Sequence, residues 1–119
     1  MFKLSKRSLE RLEGVNPPLV EVVEKANTLT NIDFGVTCGL RTMEEQQALV
    51  DSGASQTMKS KHLEGNAVDV VAYIGSRITW ELNVYDDIAD AFKAAAQDIG
   101  LGIRSVSYTH LTLPTIYSV

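Results

Sequence analysis

The stretch SKHLEGNAVDVVAY, Ser60 to Tyr73, sets a histidine and an aspartate seven positions apart at the entrance to an apolar run. Burying a carboxylate among valines is costly unless a cation, several hydrogen bonds or a metal ion compensates it, so Asp69 needs a partner. On an unbroken strand His62 and Asp69 would face opposite sides, but Gly65 between them permits a turn that lets both converge on one point. Imidazole nitrogen with carboxylate oxygen is a common pair for zinc, and a catalytic zinc takes three protein ligands and keeps one position open for water. Ser60 stands where it could orient the loop or a ligand by hydrogen bonding. Spacing alone leaves a bland alternative open, in which His62 is a surface turn residue and Asp69 is satisfied by backbone groups or by Arg41.

Arg41 is the next candidate. A guanidinium at a strand-to-helix junction can hold a carboxylate in a bidentate fork or stabilise an oxyanion beside a metal, and it can equally be an ordinary surface arginine. Glu44, Glu45, Asp86 and Asp87 read as solvated helix faces, and Trp80 and Tyr85 as core or rim. The single cysteine, Cys38, excludes an internal disulfide and a cysteine-based zinc cluster, and reads as a small buried thiol beside a turn.

The elements that must position these residues follow from periodicity and caps. Ser5 as N-cap, Leu9 and Leu12 at helical spacing and Gly14 as a stop predict a short helix. NPPLVEVVEKANTLT predicts a longer one, with prolines in the first turn and a stripe of Leu19, Val22, Val23, Ala26 and Leu29. IDFGVTCG reads as a strand that leads into LRTMEEQQALVDSG, where Thr42 and Glu45 spell a capping box and Ala48 and Leu49 supply the apolar positions of a helix ending near Gly53. Ala67 to Ala72 reads as a buried strand. YDDIADAFKAAAQDIG gives an amphipathic helix through Ile88, Ala91, Phe92, Ala95 and Ile99, ended by Gly100.

The chain has 119 residues, 45% hydrophobic and 22% charged, which predicts one small domain with a single core. A formal charge of -4 offers no basic field for phosphates, which argues against nucleic acid as a partner. MFKLSKRSLERLEG lacks the apolar core of a signal peptide and no segment has the length of a spanning helix, so synthesis in the cytoplasm without membrane insertion is expected. Composition changes after Arg104: Ser105 to Val119 contains no Asp, Glu, Lys or Arg and is crowded with Ser and Thr. A buried strand would also be uncharged, though Pro114 limits any regular element there.

The order CGLRT, then SKHLEGNAVDVVAY, then an alanine-rich helix resembles the zinc D-Ala-D-Ala carboxypeptidase and L-alanyl-D-glutamate endopeptidase family, most closely its phage endolysin branch. The family signature S-x-H-x-x-G-x-A-x-D is met by Ser60, His62, Gly65, Ala67 and Asp69. The resemblance spans residues 1–104 and implies an α+β domain, a small antiparallel sheet flanked by helices of the hedgehog and D,D-peptidase kind. It implies Zn2+ as cofactor, peptidoglycan stem peptides as substrate, His62 and Asp69 as two metal ligands and Arg41 as the group that polarises or binds the substrate.

The resemblance also implies a third ligand and a catalytic carboxylate in a C-terminal segment running roughly Trp-Gly-Gly, Asp, then Pro-His-Phe/Trp-Glu. This chain reads SVSYTHLTLPTIYSV instead, so residues 105–119 are expected to be a foreign tail on a domain that lacks its C-terminal segment. His110, the remaining histidine, could supply the third ligand but stands outside the family's Pro-His context, and no acidic residue follows Asp98 to serve as the base. The leading expectation is therefore a zinc-dependent peptidoglycan peptidase of endolysin type, monomeric, acting on the bacterial wall if released, and impaired as written. A non-catalytic module that binds cell-wall peptide or a metal is the alternative, and a structural domain in which Asp69 pairs with Arg41 is the third.

Overall fold

In the computed structural model, which describes residues 3–53, 61–106 and 115–119, four helices and five strands form an α+β domain. The helices are α1 (Lys6–Arg11), α2 (Pro17–Leu29), α3 (Met43–Asp51) and α4 (Leu82–Ile99). The strands are β1 (Asp33–Cys38), β2 (Ala67–Ile74), β3 (Arg77–Thr79), β4 (Arg104–Val106) and β5 (Thr115–Ser118), and a 3-10 turn covers Lys61–Glu64. No helix among the described residues is long and apolar enough to cross a membrane.

Two of the helices, α1 and α3, start on a side chain that caps an orphan amide, and α2 starts on prolines. The Ser5 hydroxyl accepts from the Ser8 amide at 3.1 Å, and prolines occupy the first turn of α2 behind Asn16. The capping box at α3 is formed in both directions, with the Glu45 amide donating to Thr42 Oγ1 at 3.1 Å and the Thr42 amide to Glu45 Oε1 at 3.3 Å. Gly100, at φ 84°, ends α4 as the sequence predicts. That helix begins at Leu82, one turn before the predicted stretch, with Val84 and Tyr85 already on its buried face.

All strand pairings among the described residues are antiparallel, and three of the four involve β2. One edge of β2 pairs with β1, while the other pairs with β5 along its first half and with β3 along its second. The alternation along β2 divides the molecule. Val68, Val70 and Ala72 join the core with α2 residues Leu19, Val22, Val23 and Ala26 and α4 residues Ile88, Phe92 and Ala95. Asp69 therefore lies on the face of the sheet away from α2 and α4. The α2 stripe holds through Ala26, but Leu29, the last residue of the helix, is 48% exposed.

Residues 115–118, inside the segment that composition sets apart, form β5 on the edge of β2, and β4 pairs in turn with β5. Tyr117 is buried and its ring stacks on Phe92, centroids 3.8 Å apart and planes within 5°.

Tyr85 ties α4 to the hairpin of β2 and β3. Its hydroxyl donates to the Thr79 carbonyl at 2.9 Å and accepts from the Ala72 amide at 3.0 Å, and Ala72 and Thr79 are register partners. Tyr85→Phe should therefore destabilise the protein by about 1–3 kcal/mol, because a buried amide and a carbonyl lose their partner. Urea denaturation followed by circular dichroism measures this, and an unchanged midpoint would remove the hydroxyl from the account.

Candidate functional site

The site lies where the ends of β1 and β2 meet the turn before β2. His62 sits in the 3-10 turn and is buried, 3% exposed, rather than a surface turn residue. Gly65 closes that turn at φ 73°, and a Cβ there would stand 2.7 Å from the Gly14 carbonyl oxygen, so both conformation and space require glycine. The Gly65 carbonyl accepts from the Asn16 amide at 2.9 Å, fastening the turn to the start of α2. From this anchored reversal the chain enters β2, and Asp69 arrives beside His62: Nε2 and Oδ1 are 2.8 Å apart.

A β-bulge supplies the other half of the site. Val36 pairs with Val70 but Cys38 with Asp69, so β1 holds one extra residue, Thr37, at this point. The bulge delivers Cys38, Gly39 and Arg41 to the polar face. Gly39 presses against the Arg11 carbonyl so closely that no side chain fits, and its own carbonyl meets His62 Nδ1 at 2.8 Å. The Arg41 amide donates to the His62 carbonyl at 2.9 Å, which locks the two loops together.

The Arg41 guanidinium reaches three elements. Nη1 donates to Gln46 Oε1 at 2.7 Å, Nη2 lies 3.5 Å from Cys38 Sγ, and Nη2 is 3.6 Å from Asp69 Oδ2. Cys38 is half-buried rather than buried, with its sulfur directed at the site. Glu44, Glu45, Asp86 and Asp87 are exposed, and Trp80 stacks on Tyr85 as part of the rim. Ser60 and His110 lie outside the described residues.

Sequence reasoning missed Gln46. Ala48 is exposed and Leu49 only half-buried, while Gln46 is fully buried, the one buried residue of α3. Apolar periodicity cannot find a helix whose inward face is polar, and Gln46, five positions after Arg41, carried no signal beyond its type.

The electrostatics follow from the geometry. Burial by itself would lower the His62 pKa, but contact with the Asp69 carboxylate, the Cys38 sulfur and the Gly39 carbonyl outweighs it and holds the imidazole up to about 9. In the metal-free protein a proton on Nε2 thus faces Asp69. The Gly39 carbonyl fixes Nδ1 as a donor, which directs the Nε2 lone pair at Asp69 whenever that proton leaves. Oδ1 of Asp69 is buried and has no well-aligned hydrogen-bond donor among the described residues. Two acceptors this close repel unless a positive species sits with them, and a proton or a divalent cation satisfies that requirement; the donors suit zinc. Among the described residues no third His, Cys, Asp or Glu completes a metal-holding group with them.

A family model described as phage L-alanyl-D-glutamate peptidase matches residues 1–108. An L-alanyl-D-glutamate peptidase of Escherichia phage T5 is 33% identical over 107 residues, covering 87% of this chain and 78% of that protein. One from a Listeria phage is 45% identical over 62 residues, 51% of this chain and 21% of the relative, so that match spans about a fifth of the larger protein. The crystal structure of the Serratia marcescens L-Ala D-Glu endopeptidase ChiX superposes with a TM-score of 0.87 at 36% identity, over 98% of this chain and 90% of that one.

The raised His62 pKa fixes the sign of a pH dependence. A group whose folded pKa exceeds its unfolded value stabilises fully below the unfolded value, 6.5, and loses that contribution as pH rises through about 9. In a chelator, the melting temperature of the metal-free protein should fall between pH 7 and pH 10 more steeply than that of His62→Gln. Parallel curves would show that the imidazole is not held charged by Asp69.

Proposed function

The chain belongs to the phage L-alanyl-D-glutamate peptidase family, and from that premise we propose that it hydrolyses the amide between L-alanine and D-glutamate in peptidoglycan stem peptides, using zinc held in part by His62 and Asp69. The observation that carries this reading is the pairing of Nε2 and Oδ1 at 2.8 Å beneath a guanidinium, on the polar face of a sheet whose other face is core. The names of the relatives favour the L-Ala–D-Glu bond over the terminal D-Ala–D-Ala bond.

Bound zinc supplies a Lewis acid that polarises a carbonyl and lowers the pKa of water. The residues of this chain have their own tasks. The His62 ring is oriented by its Nδ1 donation to the Gly39 carbonyl, so that Nε2 would be the atom to hold the metal. Asp69 contributes the anionic oxygen that lies against it, and taking up a metal requires that the proton on His62 depart. The guanidinium of Arg41, held at its Nη1 end by Gln46, offers N–H donors to the substrate carbonyl oxygen as negative charge develops there. The bacterial wall, reached on release from the producing cell, is the site of action that fits this substrate.

A non-catalytic module that grips wall peptide is favoured by one observation, the lack of a third metal-holding side chain among the described residues. Two measurements separate the readings. Zinc content by elemental analysis should approach one ion per chain for the wild type and fall to background in His62→Ala if His62 and Asp69 hold the metal. Muropeptide digestion followed by mass spectrometry should yield a new free amine on D-glutamate, at a rate lowered about a hundredfold by Arg41→Ala. Zinc binding with no cleavage would select the module, and no zinc in either protein would overturn the zinc peptidase.

A further inference from the structure

We propose that Gln46 is a positioning residue, which sets the orientation of the Arg41 guanidinium and thereby the activity of the site; the proposal rests on the reading of Arg41 given above. Among the described residues three groups approach the guanidinium, and they are unequal. The Cys38 sulfur is a weak acceptor at 3.5 Å, and Asp69 Oδ2 at 3.6 Å is beyond hydrogen-bond length, while the other carboxylate oxygen, Oδ1, faces His62. Gln46 Oε1 at 2.7 Å is a short, charge-assisted bond from a neutral acceptor.

Burial gives the second line of argument. Gln46 is 0% exposed, on a helix whose other side chains are exposed or half-buried. A leucine or methionine there would gain apolar burial without an amide to satisfy, so the polar residue is costly for stability. Its amide is used instead to hold a charge. Gln46 is suited to this because it is neutral: an acidic residue would neutralise the guanidinium that the substrate oxygen must feel, whereas an amide oxygen fixes direction and leaves the positive charge available. The capping box at Thr42 and Glu45 fixes the first turn of α3 and hence the height of Gln46 over the site.

The test is a double-mutant cycle with a spectroscopic control. Gln46→Met conserves volume and removes the acceptor. It should lower the rate of muropeptide cleavage about tenfold, moving the same parameter, kcat or KM, as Arg41→Ala, with zinc content unchanged. In the Arg41→Ala background the same substitution should have no further effect, because the group it positions is gone. Nitrogen-15 spectra of the Arg41 side chain should show resolved, slowly rotating Nη groups in the wild type and averaged ones in Gln46→Met, a readout independent of turnover. Gln46→Glu, which keeps an acceptor, should retain the resolved Nη signals and serves as the folded control if Gln46→Met does not fold.

The outcomes separate the two ideas. Arg41→Ala without effect on cleavage would remove the role of Arg41 and leave Gln46 to be judged by the spectra. Equal losses from Gln46→Met in both backgrounds, or Arg41 spectra that Gln46→Met does not change, would overturn the positioning role.

Discussion

The charge of Asp69, placed in the middle of a strand that is paired on both edges, is the constraint on which the rest of this structure depends. β2 carries β1 on one side and β5 with β3 on the other, so the carboxylate cannot be relieved by fraying toward solvent. Its compensation must come from side chains above the sheet. His62 and Arg41 supply it, and each needs backbone that ordinary residues could not form: the left-handed turn at Gly65 for one, the side-chain-free approach of Gly39 to the Arg11 carbonyl for the other. The glycines of HLEG and CGLR thus follow from the location of one negative charge.

What the sequence disclosed and what it hid divide along the same line. His62, Gly65 and Asp69 were legible because a buried carboxylate, a histidine and a glycine between them have few joint explanations, and the helices were legible where one face is apolar. The capping box at Thr42 and the stop at Gly100 could be read from residue type. The inward face of α3 could not, because Gln46 is buried for a hydrogen bond and Ala48 and Leu49 follow a stripe that faces outward. Nor could the bulge at Thr37, whose presence depends on pairing with β2 rather than on anything local to β1. β5 escaped for a related reason. Its residues alternate weakly, and Tyr117 becomes core only because Phe92 of α4 offers a ring to stack on.

The two faces of the sheet have separate duties, and register is what keeps them separate. Val68, Val70 and Ala72 meet α2 and α4, while Asp69 meets His62 and Arg41, so a slip of one residue along β2 would drive the carboxylate into the hydrocarbon core and a valine into the polar cluster. Each interaction around the site resists that slip. The bulge pins β1 against β2 at Asp69 itself, the Tyr85 hydroxyl pins β3 at Ala72, and the Gly65 carbonyl pins the entry to β2 against α2. With α2 and α4 packed on one face of β2, the other face can gather charged and polar groups around Asp69 at close range. The polar site is therefore stabilised from beneath by packing it does not share, which is how a chain of this size can bury a histidine and a glutamine beside a half-buried aspartate and still fold.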